Sequence, residues 1–285
     1  MMKKLWLLSL FVASVVQSQP LEKSLLWKIS GNGLTKPSYL FGTIHMSCEA
    51  NIDGQLKKAL DDTNQLYLEL DLDDSGMQAG MMQHMMMPDG KKMTDLASPE
   101  DIKIVDAFLR EKAGMGVEMM NTIKPVFVSM LAMPQLLDCP MKSIEQELMK
   151  ASQAQNEPVF GLEEVEDQIA ALDVMPLQEQ MDELVKAAKG EDSADGKEEI
   201  RNLLAVYLTG DIELLLKLTK NSDSALTSKY DNDLLDKRNV KWIPKIGAAA
   251  KEKPTLFAVG AAHLAGDNGV IRLLRKAGFS VEAVR

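Results

Sequence analysis

The apolar positions of this chain change their spacing three times. An unbroken run from Leu5 to Val16 comes first, followed by short β-prone stretches between turns. A long middle then keeps helical spacing, and the last thirty or so residues return to a β–α–β pattern. Leu26-Trp27-Lys28-Ile29 reads as a strand and Gly31-Asn32-Gly33 as the turn that ends it. Pro37 to His45 is apolar, β-prone and finishes on a histidine, whereas Leu56 and Leu60 mark a helix over 54–63. Gln65 to Asp71 alternates as a strand does and ends in carboxylates. Ser98 caps a helix with Pro99 at its first position, and further helices are predicted near 123–138, 141–153, 164–189, 198–219 and 231–252. Pro254 to Gly260 reads as a buried strand, 268–277 as an amphipathic helix that Gly278 closes, and Phe279 to Val284 as a last strand.

These elements predict a mixed α/β fold. A central mixed β-sheet is built from the N- and C-terminal segments, and a large helical insertion at about 95–250 separates them, interrupted by a strand at 157–163. One motif occurs in both halves: Gly42-Thr43-Ile44-His45 and Gly260-Ala261-Ala262-His263 each place Gly-x-x-His at the exit of an apolar strand.

Composition narrows the function. With 42 acidic against 32 basic residues the formal charge is -10, and aromatic residues make up only 5%. A nucleic-acid binder needs a basic face to displace counterions, so no nucleic-acid partner is expected. Residues 1–18 have the layout of a signal peptide: Lys3 and Lys4, the apolar run, and small residues before a cleavage after Ser18. That run is shorter than the ~20 residues of a membrane span, so no stable span is expected after cleavage, and residues 19–285 form the mature domain. Export, to a periplasm or the medium, exposes thiols to oxidation, which makes Cys48 and Cys139 a candidate disulfide.

The candidate chemistry sits where the strands end: His45, Glu69, Glu163 and His263. In α/β sheets ligands bind beyond the carboxyl ends of the strands, and two imidazoles with carboxylates suit a divalent transition metal such as zinc, manganese, cobalt or iron. There is no His-Glu-x-x-His, no Gly-x-Ser-x-Gly elbow and no complete phosphate or dinucleotide loop. The methionine-rich stretch 77–93 contains Met81, Met82 and His84, a set that soft copper would accept. Its i, i+4 spacing favours a core stripe instead.

Leu40-Phe41-Gly42-Thr43-Ile44-His45, Leu68-Glu69-Leu70-Asp71, Gly161-Leu162-Glu163, Arg238-Asn239 and Val259 to Gly266 together resemble the TraB/PrgY/GumN family, which includes the animal Tiki metalloproteases. The resemblance runs from about residue 25 to 285 and implies a fold like that of erythromycin-esterase (EreA)-like and ChaN-like proteins. It implies that His45 and His263 are the central pair, with Glu69, Glu163 and Arg238 at matching motif positions. The resulting expectation is an exported metal-dependent hydrolase, a peptidase acting on a peptide or protein. His45, Glu69 and His263 would hold the metal, with manganese or cobalt favoured by the resemblance. Glu163 would act as general base, and Arg238 would offset oxyanion charge or pin a carboxylate. Glu69 and Glu163 could exchange roles. The alternative is a non-catalytic periplasmic metal- or haem-binding protein.

Overall fold

The computed structural model describes residues 20–74, 76–190 and 193–285; the expected leader, 1–18, lies outside them. Six strands form one sheet: β1 (Leu26–Gly31), β2 (Ser38–Thr43), β3 (Leu66–Leu68), β4 (Val159–Gly161), β5 (Leu256–Gly260) and β6 (Phe279–Ala283). Their order across the sheet is β4-β3-β5-β2-β1-β6. The β4, β3, β5 and β2 neighbours pair in parallel, and β1 pairs antiparallel with both β2 and β6. The class is therefore mixed α/β.

The helices are α1 (Gly54–Asp61), α2 (Met77–Met85), α3 (Pro99–Ala113), α4 (Val117–Met120), α5 (Pro125–Ala132), α6 (Ile144–Ala154), α7 (Val165–Leu172), α8 (Leu177–Ala188), α9 (Ser193–Leu208), α10 (Ile212–Lys220), α11 (Ala225–Lys229), α12 (Lys237–Glu252) and α13 (Val270–Lys276). Among the described residues none is long and apolar enough to cross a membrane. Side chains alternate across a strand, so the sheet presents two apolar faces. Ile29, Leu40, Phe257 and Val259 pack on one face against Trp242 and Ile246 of α12 and Val270, Ile271 and Leu274 of α13. Leu26, Phe41, Leu66, Leu256 and Ala258 pack on the other against Leu56 and Leu60 of α1 and Ile144 and Leu148 of α6. A third cluster, built from α3, α5 and α8 with Val105, Leu109, Val128, Met181 and Leu184, stands apart from the sheet.

Several long helical patterns divide in the structure. The 164–189 stretch breaks between Asp173, the C-cap of α7, and Pro176, the N-cap of α8. The 198–219 stretch breaks at Gly210, whose positive φ of 69° and close approach to the Ser24 backbone favour glycine. Residues 232–236 form a π-helical turn that runs directly into α12. Part of the methionine stripe is packed as core: Met77, Met81 and Met85 lie against Leu70, Val126, Phe127 and Ile169, while Met82 points outward and His84 faces Glu166 at 3.3 Å.

Candidate functional site

The parallel strands β2, β3, β4 and β5 end on one edge of the sheet, and each delivers a polar residue there. The ladder carries on past the last residues of β3 and β4, since Leu162 and Glu163 donate their N–H groups to the carbonyls of Leu68 and Glu69 at 2.8 and 3.0 Å. That pairing fixes Glu69 and Glu163 side by side. After β5 a short 3₁₀ turn, Ala261–His263, brings His263 back over the sheet edge. Gly42 makes that return possible: a Cβ there would stand 2.8 Å from Leu264 Cδ1 and 3.0 Å from Ala261 Cβ.

Arg238, from the first turn of α12, reaches into the middle of this group. Its Nη2 donates to Glu69 Oε2 at 2.6 Å and to Glu163 Oε1 at 2.5 Å, and its Nε donates to both Glu163 oxygens at 3.1 Å. Trp242, one turn along α12, donates its indole N–H to Glu163 Oε2 at 3.0 Å and lies under the guanidinium at 5.0 Å. Both oxygens of Glu163 are thus taken by donors from α12. The sequence reading made this residue a general base; its geometry suits it to holding Arg238. Glu69 keeps one oxygen facing inward: Oε1 accepts the Gly260 N–H at 2.8 Å and lies 3.7 Å from His263 Nε2.

The two histidines are held by different partners. His263 is buried, and its Nδ1 lies 2.6 Å from Asn239 Oδ1. Asn239 donates its amide to the carbonyls of Asn268, at 2.9 Å, and His263, at 3.3 Å, so its oxygen must face the ring. His263 therefore carries its proton on Nδ1 and leaves Nε2 as a lone pair, with Arg238 Nη1 at 3.3 Å. His45 Nδ1 donates to Glu145 Oε1 at 2.8 Å, and Ser143 Oγ donates to the other Glu145 oxygen at 2.8 Å. The His45 side chain is 69% exposed, so the site opens to solvent at this residue.

Charge follows from these contacts. Burial works against ionising Glu69, but His263, Arg238, His45 and the Gly260 N–H together hold its carboxyl well below the usual range. The guanidinium is the permanent charge among them. Burial raises Glu163 despite Arg238, and the neighbouring Glu69 charge adds to the rise. Burial lowers His263 to about 3, so its ring is neutral at pH 7. For His45, desolvation is outweighed by the Glu145 hydrogen bond and by the charges of Glu69 and Glu145, which raise it to about 9.

Glu69, His45 and His263 border the space beside Gly260. The point where a Cβ of that residue would stand is 3.3 Å from Glu69 Oε1, 3.8 Å from His45 Nε2 and 3.5 Å from His263 Cδ2. Among the described residues no three His, Cys, Asp or Glu side chains already stand as a coordination shell. The donor chemistry nonetheless fits a borderline divalent ion: two imidazoles committed through Nδ1, one ionised carboxylate oxygen, and glycine leaving the space between them.

The sequence-predicted residues His45, Glu69, Glu163, Arg238 and His263 all lie at this sheet edge. Three that matter to it were not assigned by sequence reasoning: Asn239, Trp242 and Glu145. Cys48 and Cys139 are joined, with Cα atoms 5.7 Å apart.

The profile of the TraB/PrgY/gumN family matches residues 25–283. Among curated relatives, Metalloprotease TIKI1 of Danio rerio is 24% identical over 313 residues, covering 91% of this chain and 63% of the relative. Metalloprotease TIKI2 of Xenopus tropicalis is 24% identical over 321 residues, covering 93% and 61%. Metalloprotease TIKI1 of Homo sapiens is 24% identical over 315 residues, covering 91% and 61%. The chain thus spans about three-fifths of the length of these relatives. No solved structure matches it. With the profile covering the sheet, all of the strand-end residues and α12, the chain belongs to the TraB/PrgY/gumN family.

Proposed function

We propose that this chain is an exported, metal-dependent hydrolase that cleaves peptide bonds. The observation that carries the proposal is the cradle at Gly260, where two imidazole edges and an ionised carboxylate oxygen meet. The metalloprotease names of its relatives support the same reading. His45, His263 and Glu69 would hold the ion, and manganese, cobalt, zinc or iron all suit these donors. A bound divalent ion supplies Lewis acidity, polarising a carbonyl and acidifying water. Glu145 and Asn239 hold the Nδ1 protons of the two histidines and so leave Nε2 of each ring as the position that would take an ion, once His45 has given up its proton there. Arg238 pins Glu69, and Glu163 with Trp242 pins Arg238. The substrate is a peptide or protein that approaches from the open side at His45, and the leader at 1–18 directs the chain to that substrate's compartment.

The test is cleavage of a mixed peptide library by the purified mature chain, read by mass spectrometry after chelation and re-addition of Mn²⁺, Co²⁺, Zn²⁺ or Fe²⁺. Cleavage should stop with chelator, return with one of the ions, and fall about 100-fold or more in Glu69→Gln and His263→Ala. Cleavage indifferent to chelator and to both substitutions would defeat the proposal. One retained ion with no peptide cleaved would favour the non-catalytic metal-binding reading.

A further inference from the structure

His45 is the least restrained member of the site. It stands on the loop after β2, and its ring makes one hydrogen bond among the described residues, to Glu145. That partner begins the distant helix α6, whose body is held independently by Ile144 and Leu148 in the sheet-face core. The loop is anchored on either side, by Ile44 against Tyr207, Leu215 and Ala261 and by Ala50 and Ile52 against the core that α6 shares, but His45 itself joins neither cluster. Between these anchors, two links tie the loop to the segment that leads into α6, and both lie next to the pair they serve. The Lys142 N–H donates to the Ser47 carbonyl at 2.8 Å in an isolated antiparallel bridge. The Cys48–Cys139 disulfide joins the same two segments, three residues beyond His45 on one side and six before Glu145 on the other. Both cysteines are half-buried, so a small dithiol can reach them.

We propose that the Cys48–Cys139 disulfide is a redox-sensitive clasp that holds His45 against Glu145, with Glu145 as the positioning residue of that histidine. This rests on the reading of His45 as a site residue. A dithiol reductant supplies two electrons and two protons: the Cys48–Cys139 bond breaks to two thiols while the reductant closes to its own disulfide. Between its anchors at Ile44 and Ala50 the loop then keeps its bridge to Lys142, and His45 loses its fixed orientation against Glu145. In the reduced protein the cradle retains Glu69 and His263 but not a directed third donor. Loss of a ligand's orienting partner reduces metal affinity or activity by about 10–100-fold.

The chain has three histidines, so ¹⁵N-histidine labelling of the full mature protein reads each ring separately. In the oxidised protein the Nδ1 proton of His45 should appear downfield and protected, since it is hydrogen-bonded in either protonation state. A dithiol should abolish that signal and leave the His263 Nδ1 proton, held by Asn239, in place. The variant Cys48→Ser/Cys139→Ser should show the same pattern without reductant, and Glu145→Gln, which keeps an acceptor oxygen, should retain the signal that Glu145→Ala loses. A His45 signal unchanged by reduction would overturn the clasp. So would simultaneous loss of the His263 signal, because the disulfide would then staple the whole fold and not this pair. These signals need neither ion nor substrate, so a failure of peptide cleavage leaves them interpretable. In a cleaving preparation, reduction should lower the rate about 10-fold or more and reoxidation should restore it.

Discussion

At the scale of single residues the site is a balance of charges taken out of water. Arg238 sits between Glu69 and Glu163, all three of them buried, and the geometry is bidentate on Glu163. Removing one member of such a buried set strands the others, at a cost of about 3–5 kcal/mol. Arg238→Met should therefore lower the unfolding free energy by about that amount in urea titrations. Adding Glu163→Gln should recover part of it, since one stranded charge goes; a double variant no more stable than the single one would contradict the arrangement. Lysine cannot replace the fork, because one ammonium does not span both carboxylates. The histidines predict a pH dependence. The raised pKa of His45 means that a proton competes with an ion for its Nε2. Ion affinity should rise as pH increases through neutrality, and Glu145→Gln, which removes the charge that favours the imidazolium, should move that rise to lower pH. Titrations with Co²⁺ at several pH values would show it. A profile that stays in place in Glu145→Gln would remove Glu145 as the cause. The strand-end histidines and carboxylates were legible in the sequence because an apolar run that stops on a polar residue shows where a strand leaves the sheet. Glu145 was not legible: it is one acidic residue in the first turn of a helix, among many such. The signal that could have found it was the cysteine pair, since joining 48 to 139 carries the neighbours of one beside the neighbours of the other.

At the scale of elements, the strand exits determine what the side chains can do. Gly260 has an ordinary φ of −49°, so backbone conformation does not demand glycine there. The space beside it does, because a Cβ would stand among Glu69, His263 and His45. Gly260→Ala should accordingly cost no more than about 1–2 kcal/mol of stability, a modest overpacking, while removing measurable divalent-ion binding by calorimetry. Binding that survives the substitution would place any ion elsewhere. Gly42 is the opposite case: its Cβ would collide with the 3₁₀ turn that carries His263. Sequence periodicity found the strands and most helical stretches but not their breaks. The division of α7 from α8 and of α9 from α10 depends on where the chain must turn to pack, as at Gly210 against Ser24, and apolar spacing continues across such turns unchanged. Arg238, Asn239 and Trp242 show how a helix adds to this edge. At positions i, i+1 and i+4 of α12 they reach Glu163, His263 and Glu163 again, and a helical spacing alone would have read Trp242 simply as core.

At the scale of the whole molecule, the site exists only when the two ends of the chain meet. β2 and β5 are neighbours in the sheet, yet the entire helical middle lies between them in sequence, so no local unit can bring His45 to His263. The sequence made this meeting plausible through the repeated Gly-x-x-His, whereas the strand order, with β5 inserted between β2 and β3, had no signal in hydropathy. The same topology makes the last strand a structural keystone although it contributes nothing to the site. β6 pairs with β1 from Trp27–Ala283 to Gly31–Phe279, and Phe279 and Val281 insert into the core that supports α12 and α13. Truncating a buried phenylalanine to alanine costs about 3–5 kcal/mol. Against a total stability of about 5–15 kcal/mol, Phe279→Ala should move the urea midpoint far downward, and deletion of residues 279–285 should abolish cooperative unfolding altogether. The loss should reach the site, because α12 positions Arg238 and Asn239 and docks on the same core. In the Phe279→Ala protein the His263 Nδ1 proton should therefore lose protection in step with global unfolding. A truncated chain that still unfolds cooperatively, with that proton protected, would mean that the strand-end cluster folds without the sheet edge formed by β6 and that the two termini are less interdependent than their pairing implies.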